Sequence, residues 1–200
     1  MDAVRVALLR DVLAGTEWPG AARRFAVALR TAVVPAGGGL LLVGTEQYEP
    51  WHLAAHLVDE AAWSGLPELA PTLVRHHVLP DEPPHLSVGL GRLAAAGRGE
   101  TLLVVAPEEP GAGLLERVHD ARRAGATVLS LDGGDAELGA LAHDALSVPE
   151  RAGLDLDTVQ HLVSAAAGEN SLPVQRTPRR FRDRLSRLAD QLTAPPPSRW

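Results

Sequence analysis

Two hundred residues, 46% hydrophobic and 22% charged, describe one ordinary domain that is long enough to bury a sizeable core. The formal net charge of −6 argues against a general nucleic-acid binder. All 19 basic residues are Arg, and the absence of Lys and Cys excludes Schiff-base and P-loop lysines, disulfides, thiolate nucleophiles and Cys-ligated metal.

The elements follow from periodicity. Ala3–Leu13 and Gly20–Val34 space apolar residues by three and four, as two amphipathic helices do. Gly37–Gly39 breaks the chain, and the wholly apolar Leu40–Val43 suits a strand buried on both faces. Pro50 suits the first turn of a helix reaching Ser64. Thr72–Leu79 is a second strand candidate carrying His76 and His77, Asp81–Pro84 a loop, and His85–Ala96 a helix. Thr101–Ala106 is a buried strand. Gly113–Ala124 is a helix closed by Gly125, and Ala126–Leu131 the next strand. Asp135 caps a helix over Ala136–Ala142, Ala145–Val148 is a last strand, and Leu156–Ala167 a last helix with Asp157 and Gln160 at capping-box spacing.

Five short strands separated by helices imply an α/β fold with a doubly wound parallel sheet. The longest apolar run, Leu40–Val43, is far too short for a bilayer, and Met1–Arg10 carries charges among its apolar residues. The expectation is a cytoplasmic protein without a membrane partner. Arg176–Trp200 differs from the rest: seven Arg against Asp183 and Asp190 give +5, leaving −11 for the other 175 residues. Phe181, Leu185, Leu188 and Leu192 recur at helical spacing there. The expected organisation is therefore a domain over 1–170 and a basic, Pro-ended tail over 171–200. That tail is either a solvated helix leaning on the acidic body or an arm for an acidic partner.

Open parallel sheets bind ligands beyond the carboxyl ends of their strands, at the switch in strand order. The loops of interest are therefore Gly44–Glu49 and Pro107–Gly113, each leading into a helix N-terminus that favours an anion. The stretch ETLLVVAPEEPGAGLLERVHDARRAGATVLSLDGGDAELGALAHDALSVPE (Glu100–Glu150) resembles the second half of a sugar isomerase (SIS) domain of the phosphoheptose isomerase type. The matching pieces are Ala121–Gly125, Leu131–Gly133, His143–Asp144 and Val148–Pro149. VGTEQYEPWHLAAHL (Val43–Leu57) resembles that family's first loop and the helix behind it. The resemblance implies a three-layer α-β-α sandwich with a five-stranded sheet in flavodoxin-like order. It also implies a homodimer paired through helices, a carbohydrate ligand and no cofactor.

The residues that carry the family's chemistry are altered. Its phosphate loop, Ser-x-Ser-Gly-x-Ser/Thr, falls on Ala106, Pro107, Glu108, Glu109, Pro110 and Gly111, where no hydroxyl remains. Two carboxylates oppose a phosphate, and Pro107 and Pro110 lack the amides of an anion nest. The first loop has lost its usual Gly-Gly-Ser: Gly44 is kept, but Thr45, Glu46 and Gln47 follow. The resemblance places an acid/base His at His161. Ala55 and His56 stand where the partner carboxylate is usual, so His161 and His56 are the candidate catalytic pair.

Other residues have bland and sharp readings side by side. His52, His56 and Glu60 lie along one helical face, which with His161 is either a metal site or a pocket lining; the lining reading is preferred and no metal is expected. His76 and His77, as strand neighbours, point to opposite faces. Glu108 and Glu109 are either solvated or bound to ligand hydroxyls. Trp18, Trp51 and Trp63 are core or interface fillers, with Trp51 beside His52 the best placed for a ligand. The leading expectation is a SIS-type protein that binds a carbohydrate derivative, with a sugar phosphate among the candidates, without intact phosphosugar isomerase chemistry. The rivals are an active isomerase with remodelled loops and a structural or regulatory dimer that uses its basic tail.

Overall fold

The apolar runs pair as a parallel sheet. In a computed structural model, which describes residues 3–34 and 39–169, the strands are β1 (Leu40–Val43), β2 (Pro71–Val74), β3 (Thr101–Ala106), β4 (Thr127–Asp132) and β5 (Asp144–Ser147). Their order is β2-β1-β3-β4-β5, all parallel. The central strand β3 is buried along its whole length, which is why it reads as TLLVVA rather than as an alternation.

Alternate residues feed two cores. Leu40, Leu42, Leu103, Val105, Leu129 and Leu131 face one helical layer; Leu41, Val43, Leu102, Val104 and Val128 face the other. Each such side chain contributes about 1.5–3 kcal/mol over its exposed state. The first layer holds α2 (Trp18–Val33), α3 (Trp51–Ser64) and α6 (Leu156–Gly168), with α1 (Ala3–Val12) against α6. The second holds α4 (Ala112–Arg123), α5 (Ala136–Leu141) and the connection from β2 to β3. This is the α-β-α sandwich in flavodoxin-like order that the sequence implies. No helix among the described residues is long and apolar enough to cross a membrane.

Four expectations need correction. The second strand ends at Val74, not Leu79, because its partner β1 ends at Val43 and offers no further ladder. His76 and His77 therefore lie in a bend, and the opposite-faces argument does not apply to them. The expected helix over His85–Ala96 is two 3₁₀ segments, Pro84–Leu86 and Leu90–Ala95; Gly89 and Gly91 weaken any longer helix. The α6 cap is Asp155, whose Oδ1 accepts from Thr158 N at 2.6 Å, rather than a box of Asp157 and Gln160. The readings of Gly37–Gly38 and of the 171–200 tail, including its helix, lie outside the described residues.

Helix α6 is the middle of its layer, packed between α2 and α3. Its last turn approaches α3 closely: a Cβ at Gly168 would fall 1.6 Å from Glu60 Oε2, so a side chain there would displace the buried Glu60 carboxylate. Arg30 on α2 caps the same end, Nη1 donating to Ala167 O at 3.1 Å and also to Glu169 O. We expect Arg30→Ala to cost about 1.5–3 kcal/mol. Thermal unfolding should show a midpoint roughly 3–12 °C lower; an unchanged midpoint would mean the cap contributes nothing.

Candidate functional site

The sheet order reverses between β1 and β3, so the loops after these two strands flank the crevice where ligands bind in open α/β sheets. The loop after β1 is a tight, buried turn. A Cβ at Gly44 would lie 1.8 Å from Tyr48 O and 2.7 Å from Pro50 Cδ, so only glycine fits. His76 Nε2 donates to Gly44 O at 2.9 Å and fixes the turn from outside. Thr45 is completely buried, and its Oγ1 donates to Glu108 Oε1 at 2.6 Å. Glu46 and Gln47 face solvent, with Glu46 Oε1 3.6 Å from His77 Nε2.

The end of the same loop is tied to neighbouring elements. Tyr48 OH donates to Asp157 Oδ1 at 2.6 Å and accepts from Gln160 Nε2 at 2.8 Å. Burial, and then the bond to Asp157, push the Tyr48 hydroxyl up to about 12, so it serves as a donor and not as a base. Arg75 gathers Glu49 (3.1 Å), Glu82 and the Leu86 carbonyl (3.3 Å), and its guanidinium lies 4.9 Å from the Trp51 ring centre. Trp51 is 42% exposed and Trp63 55%, so neither fills the core; Trp18 packs at its edge.

After β3, Pro107 is half-buried and Pro110 buried, while Glu108, Glu109 and Gly111 are exposed. With two prolines the turn has few free amides, and Gly111 O accepts from Leu114 N to start α4. The two candidate loops are thus in contact through Thr45 and Glu108, and the open space lies to one side of them. A cleft of about 470 Å³ runs over the ends of β3, β4 and β5. It is lined by Pro107, Glu108 and Glu109, by Gly133 and Asp135, and by Pro149, Glu150 and Arg151. Four acidic residues and one Arg are among the lining residues, and no residue with a hydroxyl side chain is. Attention to the β1/β3 switch alone passes over the residues after β4 and β5. Their position after strand ends is the signal that could have found them.

The histidines form a second group. Ring centres of His56 and His161 stand 4.7 Å apart, His52 and His56 6.1 Å, and His52 and His161 6.4 Å. None of them lines the cleft. Glu60, on the same face of α3, is buried against Gly168 of α6. Among the described residues no three metal-ligating side chains are arranged to hold an ion. Both ring nitrogens of His56 are buried without a hydrogen-bond partner. Burial, then the neighbouring His161, lower its pKa below the ordinary 6.5. The fold therefore prefers neutral His56, and its stability falls as pH drops below 6.5 toward the lowered value. His56→Leu should flatten this limb of the Tm–pH curve between pH 7 and 5. A variant with the same acid slope as the parent would remove His56 from the account.

No protein-family model and no curated protein matches the chain. Solved structures do. The Vibrio vulnificus NanR protein, solved with ManNAc-6P, superposes with a TM-score of 0.50 at 12% identity, over 96% of this chain and 75% of its own. A Salmonella typhimurium LT2 protein provisionally assigned as sugar-binding gives 0.51 at 16% identity, over 91% and 51%. A Silicibacter pomeroyi DSS-3 protein provisionally assigned as a phosphosugar isomerase gives 0.50 at 17%, over 94% and 52%. The chain spans about half the length of these last two. At such identities the likeness is one of architecture: this chain has the sugar isomerase (SIS) fold.

Proposed function

We propose that the chain is a SIS-fold binding module for a carbohydrate derivative without phosphate, and that it does not run phosphosugar isomerase chemistry. The observation that carries this reading is the lining of the cleft by Glu108, Glu109, Asp135 and Glu150 against Arg151 alone. A carboxylate about 4 Å from one phosphate charge costs ~1 kcal/mol in bulk-like surroundings and ~4 kcal/mol at an effective dielectric of about 20. A polyol suits the same lining, because each hydroxyl donates a charge-assisted hydrogen bond to a carboxylate. The solved likenesses described as sugar-binding, or solved with a sugar phosphate, support the ligand class.

A second reading, an active isomerase using His161 with His56, draws on the 4.7 Å approach of these rings. We place it second because the pair lies outside the cleft lining. Pairing of two copies through helices belongs to the same proposal. Its support is the exposure of Trp51, Val58 and Trp63 on α3.

Calorimetric titration with ManNAc and ManNAc-6P tests the leading reading. The unphosphorylated sugar should bind and the phosphate should bind at least tenfold more weakly. Glu108→Ser combined with Glu109→Gly should raise affinity for ManNAc-6P; no rise would show that charge is not what excludes phosphate. Solvent deuterium entering a ketose phosphate, and lost in His161→Ala, would favour the second reading instead.

A further inference from the structure

The cleft over the ends of β3, β4 and β5, at about 470 Å³, has a size suited to a small ligand. Its charges are not settled within the chain. Glu108 Oε1 accepts from the Thr45 hydroxyl and Asp135 Oδ1 from the amide of Leu138. Glu109, on the loop after β3, and Glu150, in the 3₁₀ turn Glu150–Ala152 after β5, are exposed. Neither they nor Arg151 join an ion pair among the described residues. Because β4 lies between β3 and β5, Glu109 and Glu150 belong to loops after strands about 10 Å apart. Asp132, wholly buried at the end of β4, lies against the loop that supplies Gly133 and Asp135 to the cleft. Its Oδ1 accepts from Gly134 N at 2.8 Å, and its Oδ2 is buried without a hydrogen-bond partner.

We propose that the ligand of this cleft is a cationic polyol, a sugar with a free, protonated amino group, held by Glu109 and Glu150. This inference rests on the reading of an unphosphorylated carbohydrate and names the substrate class within it. A neutral sugar supplies hydrogen bonds through its hydroxyls but leaves four acidic residues against one Arg. An ammonium donates up to three charge-assisted hydrogen bonds and at the same time relieves the repulsion among the carboxylates. A metal ion fits less well, because no three ligating side chains among the described residues are arranged to hold one. An amine needs no such converging set, since it carries its own donors, and the ring hydroxyls serve the remaining carboxylates. Asp132 adds to the preference from behind the lining, where interactions of a buried group are little screened by salt.

Calorimetric titration with mannose, ManNAc and mannosamine makes the test, since these sugars carry a hydroxyl, an acetamide and an ammonium at the same carbon. Mannosamine should bind about tenfold more tightly than ManNAc, and high salt should shrink the difference. Glu109→Gln combined with Glu150→Gln keeps shape and removes charge at two exposed positions. It should cost mannosamine about tenfold and ManNAc far less, whereas Arg151→Gln should tighten mannosamine. Equal binding of mannosamine and ManNAc overturns the amine and leaves the polyol reading standing. A preference for mannosamine that survives the double Gln change overturns the assignment to Glu109 and Glu150. Ethylamine competing as well as mannosamine would show that the cleft attracts charge alone and would remove the sugar from the proposal. Failure of all three sugars to bind would sink the polyol reading and the amine with it.

Discussion

A parallel sheet buried on both faces constrains everything else in this molecule. Leu, Val and Ala side chains project from both sides of β1 and β3, so helices must cover each side. The chain meets that demand by crossing over one face after β1 and the other after β3. The same reversal leaves two strand ends whose following helices diverge. The crevice is therefore a consequence of covering the core. The residues placed there decide its chemistry.

Those residues divide the upper edge of the sheet by charge and by order. On one side, buried Thr45 and half-buried Tyr48 are fixed to Glu108, Asp157 and Gln160. On the other, carboxylates after β3, β4 and β5 surround open space with Arg151 among them. Part of the acidity behind a modest global charge thus lies around this cleft. The fold is that of a SIS domain, and its acidic cleft is the ground for the proposal of an unphosphorylated ligand.

Much of the fold was legible in sequence because the central strands are wholly apolar and bounded by turn residues. Leu40–Val43 and Thr101–Ala106 need no tertiary information to be seen as strands. The region after Val74 was not legible. Its conformation is set by side chains from elsewhere, with Arg75 drawn to Glu49 and Glu82, and by the short length of β1. The site shows the same limit. Gly44, Glu108 and Glu109 could be singled out from strand-end position, and His56 and His161 through resemblance. The Thr45–Glu108 bond joins residues 63 apart in sequence, and no local pattern encodes it. Asp157 and Gln160 looked like a cap because i, i+3 spacing serves two purposes, and Tyr48 claimed them for the other.

Arg75 has a wider consequence for motion. One planar guanidinium engages a carboxylate after β1, a carboxylate after β2, the carbonyl that ends the first 3₁₀ segment and the indole that opens α3. A lysine ammonium, a compact point charge, cannot serve that many directions at once. The half of the rim built on β1 and β2 is therefore cross-linked through one side chain. A single substitution at position 75 would loosen all four of these elements together.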